Sequence, residues 1–221
     1  MSQRRDFYVV VVALSVCALA PAAAVQQSAA ADAALGDIRA HAAGLGLTPD
    51  DVADLVVSSE SVSSHTKVTH VYVRQRYRGI EVWRADMTVS VGPAGAIVNR
   101  AGAFVPHLSR SVSSTTPGIE ASAAFRAAAA HLALPSTAPP TVVRPPQGPA
   151  RDGALGADVA AESIPVRLTF LPQGDGRLRL AWLLEIELRD GSHRWLVLVD
   201  ADTGRVLEKN DLVVTGKGFG F

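Results

Sequence analysis

Of 221 residues only Cys17 is a cysteine, and it sits in an apolar N-terminal run. The rest of the chain therefore has no disulfide and no thiolate chemistry. Charge of one sign is also lacking: 21 Lys and Arg balance 21 Asp and Glu, which argues against a nucleic-acid partner. No pair among His41, His65, His70, His107, His131 and His193 has the His-Glu-x-x-His spacing. That spacing puts two imidazoles on one helix face around a zinc ion, so each histidine reads as a surface or half-buried side chain and the expected catalytic and metal sets are empty. Gly191-Ser192-His193 lacks the glycine that would complete a nucleophile elbow. Gly216 to Gly220 is glycine-rich, but no helix follows to hold a phosphate. No cofactor is expected in this chain.

What is present begins with a leader. Arg4 and Arg5 precede an apolar run from Phe7 to Ala20, too short to span a bilayer comfortably, and Ala22-Ala23-Ala24 offers small residues for cleavage. Residues 1–24 read as a signal peptide and the product as secreted. Export would use the general route or, since Arg4-Arg5 resembles a twin-arginine signal, that route. Lipid anchoring at Cys17 ranks lower because Val16 is bulky for the position before a lipidated cysteine.

Residues 25–46 read as an N-terminal helix, with Asp32 as its cap and Leu35, Ile38, His41, Ala42 and Leu45 at helical spacing. Thr48-Pro49-Asp50-Asp51 has the chemistry of a second helix start, carrying Val52, Leu55 and Val56. Ser58 to Thr66 is polar, a loop or irregular edge strand. Then Val71, Val73, Gln75 and Tyr77 alternate with His70, Tyr72, Arg74 and Arg76, Arg78-Gly79 turns, and Trp83, Ala85, Met87, Val89 and Val91 alternate with Arg84, Asp86, Thr88 and Ser90. Period two on both sides of a glycine turn predicts a hairpin. A third strand follows over Ala96 to Val105.

After a connection, Ile119 to Leu134 predicts a helix with Ile119, Ala123, Ala127, Ala130 and Leu134 on one stripe, stopped by Pro135. Residues 135–163 are rich in Pro, Gly and Ala and read as an exposed linker. Alternation returns from Ile164 to Val214, with turns at Gly174, Gly191 and Gly204. Asp200, Asp202 and Asp211 echo calcium-loop spacing, but strands flank them and Gly204 falls at a ligand position, so a plain turn is the reading. Glu185 and Glu187 read as a solvated charged face. Trp83, Trp182 and Trp195 read as sheet core. The pattern predicts an α+β fold: two small domains, each an antiparallel meander with a packed helix, cystatin-like in outline.

Two stretches carry a family likeness. Over residues 47–108, His70, Val71, Tyr72, Gln75, Tyr77, Gly79, Ile80, Val82, Ala85 and Asp86 resemble the fungalysin/thermolysin propeptide (FTP) module. The sequence departs at Glu81, where proline is common, and at Arg84, where glycine is common. Over residues 164–214, Trp182 to Ile186 and Trp195 to Leu207 resemble a PepSY module. Residues 109–134 would then be the connection and helix of the second domain, and 215–221 a tail.

Leader, FTP module, helix and PepSY module in that order resemble the prosegment of fungalysin-type secreted zinc metallopeptidases, without the peptidase domain. The resemblance implies a chain that is not itself an enzyme. It would bind a zinc metallopeptidase catalytic domain, in cis or in trans, as folding assistant and inhibitor, with the zinc in that partner. No nucleic acid, and no membrane after leader removal, is expected. Arg74, Arg76, Arg78, Gly79, Arg84, Phe104 and His107 are the candidate partner-binding residues. His70, Tyr72, Gln75, Tyr77, Trp83, Asp86, Trp182, Trp195 and Gly204 are the structural-motif residues. Two alternatives stand beside this: the N-terminal part of such a peptidase, and a free-standing secreted module that binds peptides or the cell envelope.

Overall fold

The computed structural model describes residues 27–136 and 138–213. The leader, Cys17 and both export readings, with the tail over 215–221, lie outside the described residues. Helix α1 is Ala29–Ala40 and buries Ala31, Ala34, Leu35 and Ile38. Its cap is Ser28, not Asp32: the Ser28 hydroxyl accepts the Ala31 N–H, and Asp32 sits inside the first turn, where a carboxylate favours the helix dipole. The expected stripe ends early, because His41 and Leu45 are exposed and Ala42 is buried. Thr48-Pro49-Asp50-Asp51 opens only a single 3-10 turn, Pro49–Val52. The branched pair Val56-Val57 then favours extension, and the chain enters strand β1, Leu55–Val62, an edge strand.

Strands β2 (Thr69–Tyr77) and β3 (Ile80–Val91) form the expected hairpin. Its turn residues Arg78 and Gly79 both have positive φ, as a two-residue hairpin loop requires. Strand β4 (Ile97–Gly102) pairs with the second half of β3. A one-turn helix α2 (Leu108–Ser111) and helix α3 (Ala121–His131) follow. Helix α3 buries Ala121, Ala124, Phe125, Ala128 and Ala129, while Ala130 is exposed. The stripe is rotated from the expected one because Phe125, the largest side chain on the helix, goes to the core.

Residues 135–163 are not merely a linker. They form strands β5 (Thr141–Gln147) and β6 (Asp152–Gly156), and β6 pairs with β7 (Ile164–Pro172). The composition misleads here. Pro145 and Pro146 sit in β5, whose one partner among the described residues is β6, an edge that tolerates missing N–H groups, while Leu155 is buried against the neighbouring sheet. Strands β8 (Leu178–Glu187), β9 (Arg194–Asp200) and β10 (Val206–Asp211) complete an antiparallel meander.

The two meanders are not separate in the sheet. The strand order is β1-β2-β3-β7-β8-β9-β10, and β3 and β7 run parallel through Glu81↔Thr169 and Val82↔Phe170. Beyond that seam, β3 turns its edge to β4 and β7 turns its edge to β6. Helices α1 and α3 both contribute to one main core, which runs from Ala31 and Ile38 through Val73 and Phe170 to Trp182 and Phe125. The fold is thus α+β as the pattern predicts, with both meanders built into one mixed sheet.

Candidate partner-binding face

The fork in β3 is made by an irregularity that strict alternation cannot show. Arg74 pairs with Asp86 and Arg76 with Glu81, so Val82 to Ala85 stand opposite Gln75 alone. Arg84 takes φ of 57° inside this bulge. The bulge reverses the phase of the strand. Ala85, Met87, Val89 and Val91 face the helix-side core as expected, and so do Ile80 and Val82, whereas Trp83 is carried to the other face. Trp83 is therefore not a residue of the main core. It packs with Leu171, Leu196 and Leu207 around Ala181, Leu183 and Leu198 in a second cluster that contains no helical residue.

A cavity of about 160 Å³ opens at the fork, lined by Arg74, Glu81, Trp83, Arg84, Arg167 and Thr169 among others. A second, of about 210 Å³, lies beyond Trp83 and Arg167, floored by Pro165, Leu183 and Leu196 and rimmed by Asp152 and Glu185. The charges around both are largely paired. Glu81 accepts from Arg74 at 3.3 Å and lies 3.7 Å from Arg167, and Arg84 meets Glu208 of β10 at 2.6 Å. Arg194 pairs with Glu185 and lies near Glu187, so those carboxylates are the solvated charged face that the sequence suggests. The Thr169 hydroxyl donates to the Glu81 carbonyl across the seam. The buried Trp83 Nε1 and Arg167 Nε have no hydrogen-bond partner among the described residues.

The remaining candidate residues fall in three places. Arg76 pairs with Asp54 at 2.7 Å, and Asp54 also accepts the Gly79 N–H. Gly79 has φ of 78° and a Cβ there would meet Pro149 at 2.9 Å, so the hairpin tip rests on the β5–β6 turn. Arg78 is exposed, with its guanidinium over the Tyr77 ring. Phe104 is buried, and the His107 side chain is exposed while its N–H is held by Asp51. The structure brings Arg74 and Arg84 to one cavity; Phe104 and His107 belong to a different edge.

That other edge rests on two buried polar residues. Gln75 donates to the carbonyls of Asp51 and Val105 and accepts the Val105 N–H. Asp51 accepts the N–H groups of Thr48, His107 and Leu108 and the Thr48 hydroxyl. Burial raises the Asp51 carboxyl, but these donors together outweigh it and hold the group below the usual carboxylate value. The segment from Val105 to Leu108 is thereby tied to β2. Gln75 was legible as a motif residue. Asp51 was legible only as an acid in a helix start, through the Thr-x-x-Asp spacing that makes a capping box.

Among the motif residues, the His70 ring lies 3.0 Å from the Ser90 hydroxyl, Tyr72 is exposed, and the Tyr77 ring approaches that of Phe170 at 6.3 Å. Asp86 is exposed at the fork. In the second meander Trp182 is fully buried and donates to the Ile119 carbonyl. Trp195 is partly buried beside His193. Gly204, with φ of 75°, closes a turn in which Asp200 accepts the N–H groups of Asp202 and Thr203 and pairs with Arg179. Asp211 binds His193 at 2.5 Å. Asp200 thus serves a turn, and Asp211, expected in that turn, instead pairs with His193. Among the described residues, no three His, Cys, Asp or Glu side chains are grouped to hold a metal, and no helix is long and apolar enough to cross a membrane.

Residues 53–104 match the Fungalysin/Thermolysin Propeptide Motif. That span contains the hairpin, the bulge and Gln75, whose partners Asp51 and Val105 stand just outside it. Curated relatives include the extracellular metalloproteinase NpIII of Aspergillus oryzae, 30% identical over 139 residues, covering 62% of this chain and 21% of the relative. Extracellular metalloproteinase 10 of Coccidioides posadasii is 31% identical over 157 residues, covering 68% and 24%. The chain spans about a fifth of the length of the relatives it matches. Among solved structures, the Bacillus megaterium YpeB C-terminal domain matches at a TM-score of 0.37 with 10% identity, covering 86% of this chain and 67% of that one. The chain carries the fungalysin/thermolysin propeptide motif, and its likeness to the extracellular metalloproteinases is to their prosegment and not to their catalytic domain.

Proposed function

We propose that this chain acts as a secreted prosegment that docks on a zinc metallopeptidase catalytic domain, helping it fold and restraining it. The observation that carries the reading is the propeptide-motif match over 53–104. The extracellular names of the relatives support secretion, and alignment to one stretch of longer proteases supports engagement in cis. On this reading the second meander, 164–214, is a PepSY-type module. The docking surface is drawn from Arg74, Arg78 and Arg84, with the 104–111 segment as a further contact. A rigid sheet with an exposed polar face, and strand edges open at β1 and β10, offers a peptide-like surface to a cleft.

The test is direct. The purified chain, mixed with a fungalysin-type peptidase domain, should associate with it and slow its hydrolysis of casein, and should hydrolyse none alone with added zinc. A peptidase that neither binds the chain nor refolds better beside it, or zinc-dependent turnover by the chain alone, would overturn the reading.

A further inference from the structure

The seam between the meanders is short. It has two ladder pairs, Glu81↔Thr169 and Val82↔Phe170, one hydrogen bond from the Thr169 side chain, and the approach of Arg167 to Glu81 at 3.7 Å, with the shared core and the Tyr77–Phe170 ring contact on its helix side. Just past it the β3 bulge leaves Val82 to Ala85 opposite Gln75 alone. The outer face of the second meander presents one cross-strand row there: Arg167 of β7 opposite Leu183 of β8, Leu183 opposite Leu198 of β9, and Leu198 opposite Glu208 of β10. Leu183 and Leu198 are buried although no helical residue shares their cluster, and Trp83 is the one member of that cluster from the first meander. At the far end of the same row Arg84 pairs with Glu208. Three strand spacings separate β7 from β10, about 14 Å in a flat sheet. The dipeptide Trp83-Arg84 therefore lies across the row, its indole over the apolar middle and its guanidinium at the acidic end.

The Arg84 backbone supplies an independent observation. A non-glycine residue at φ of 57° is strained, and it persists only where surrounding contacts hold it. The contacts present are the Glu208 ion pair and the stacking of the guanidinium over the Trp83 ring, at 5.6 Å.

We infer that Trp83-Arg84 is a strap by which the first meander grips the outer face of the second, and that this strap, added on the outer face to the shared main core and the two-pair seam, makes the halves one cooperative body. With the strap lifted, the apolar strip Ala181, Leu183 and Leu198 faces solvent and the seam opens locally. The inference does not depend on the proposed protease partner.

Hydrogen exchange and calorimetry on the full chain test this. Wild type should melt in one transition. Trp83→Ala should split it in two, with amides of Glu81, Val82, Thr169 and Phe170 exchanging about tenfold faster while β1–β2 amides keep their protection. Millimolar indole, refilling the vacated site, should rejoin the transitions. If Trp83→Ala does not fold, Glu208→Gln, which strips the charge from the far anchor while leaving a carbonyl oxygen for Asn210, should still speed seam exchange several-fold and leave β1–β2 unchanged. A single transition with evenly lowered protection in Trp83→Ala, or unchanged seam exchange in Glu208→Gln, would overturn the strap.

Discussion

Both meanders tie down a neighbouring segment with a buried carboxylate, and they do it differently. In the first, Asp51 gathers three backbone N–H groups and a hydroxyl, with no cation among its hydrogen-bond partners in the described residues. In the second, Asp200 accepts two backbone N–H groups and also the Arg179 guanidinium at 2.6 Å. The neighbouring Ala201 carbonyl then accepts the Gly118 and Ile119 N–H groups, which fixes the approach to α3. The first arrangement stabilises a charge by backbone dipoles and one hydroxyl; the second shares it with a side chain that reaches solvent. Both carboxyls fall below the usual value: burial pushes each up, and the donors outweigh it.

Removing an anchor separates the two schemes most sharply. Trp182→Ala, which empties a fully buried site and orphans the Ile119 carbonyl, should cost about 3–5 kcal/mol. Urea unfolding should show the loss; a change below about 1 kcal/mol would mean that α3 is held elsewhere.

Asp51→Ala should cost about 3 kcal/mol, because buried N–H groups lose their acceptor, and should free the 105–108 segment first, read as faster exchange at His107 and Leu108. The pH dependence has a definite sign. Both carboxyls have folded values depressed from 3.8. Their stabilisation is complete above that value and is lost as pH falls through the lower folded values. Acid melting of wild type should therefore be steeper than that of Asp51→Asn, and equal slopes would show that Asp51 does not titrate with unfolding.

The smallest effect belongs to Arg84→Gly. It relieves about 1 kcal/mol of left-handed strain and loses an exposed ion pair worth about 0–1 kcal/mol. The thermal midpoint should barely move, while the seam loosens as in Glu208→Gln. A large loss of stability would assign the Arg84 contacts a much greater energy than a surface pair carries.

Much of the first meander was legible. Period two around Arg78-Gly79 and the Gln75 position mark it, and in the second meander the turns at Gly191 and Gly204 carry their own backbone requirements. Strand β5 and strand β6 were not, because Pro145-Pro146 and Gly153 look disordered until a partner edge from β7 is known. The phase of Trp83 was not either, since alternation is read as if the strand were regular. The resemblance did carry a trace of the bulge: Arg84 falls where glycine is common, and that is the left-handed residue.

The sequence by itself determined most elements outside 48–62 and 135–163, their alternation and the hairpin turns, since these follow from local side-chain period and from φ that glycine prefers; the propeptide likeness rests on its motif residues. Only the tertiary structure decided that β3 and β7 join the meanders, that 135–163 forms a hairpin, and that Trp83 and Arg84 lie on the outer face. Each of these depends on a partner strand far away in the chain, and hydrogen bonds to a distant edge leave no mark in local composition.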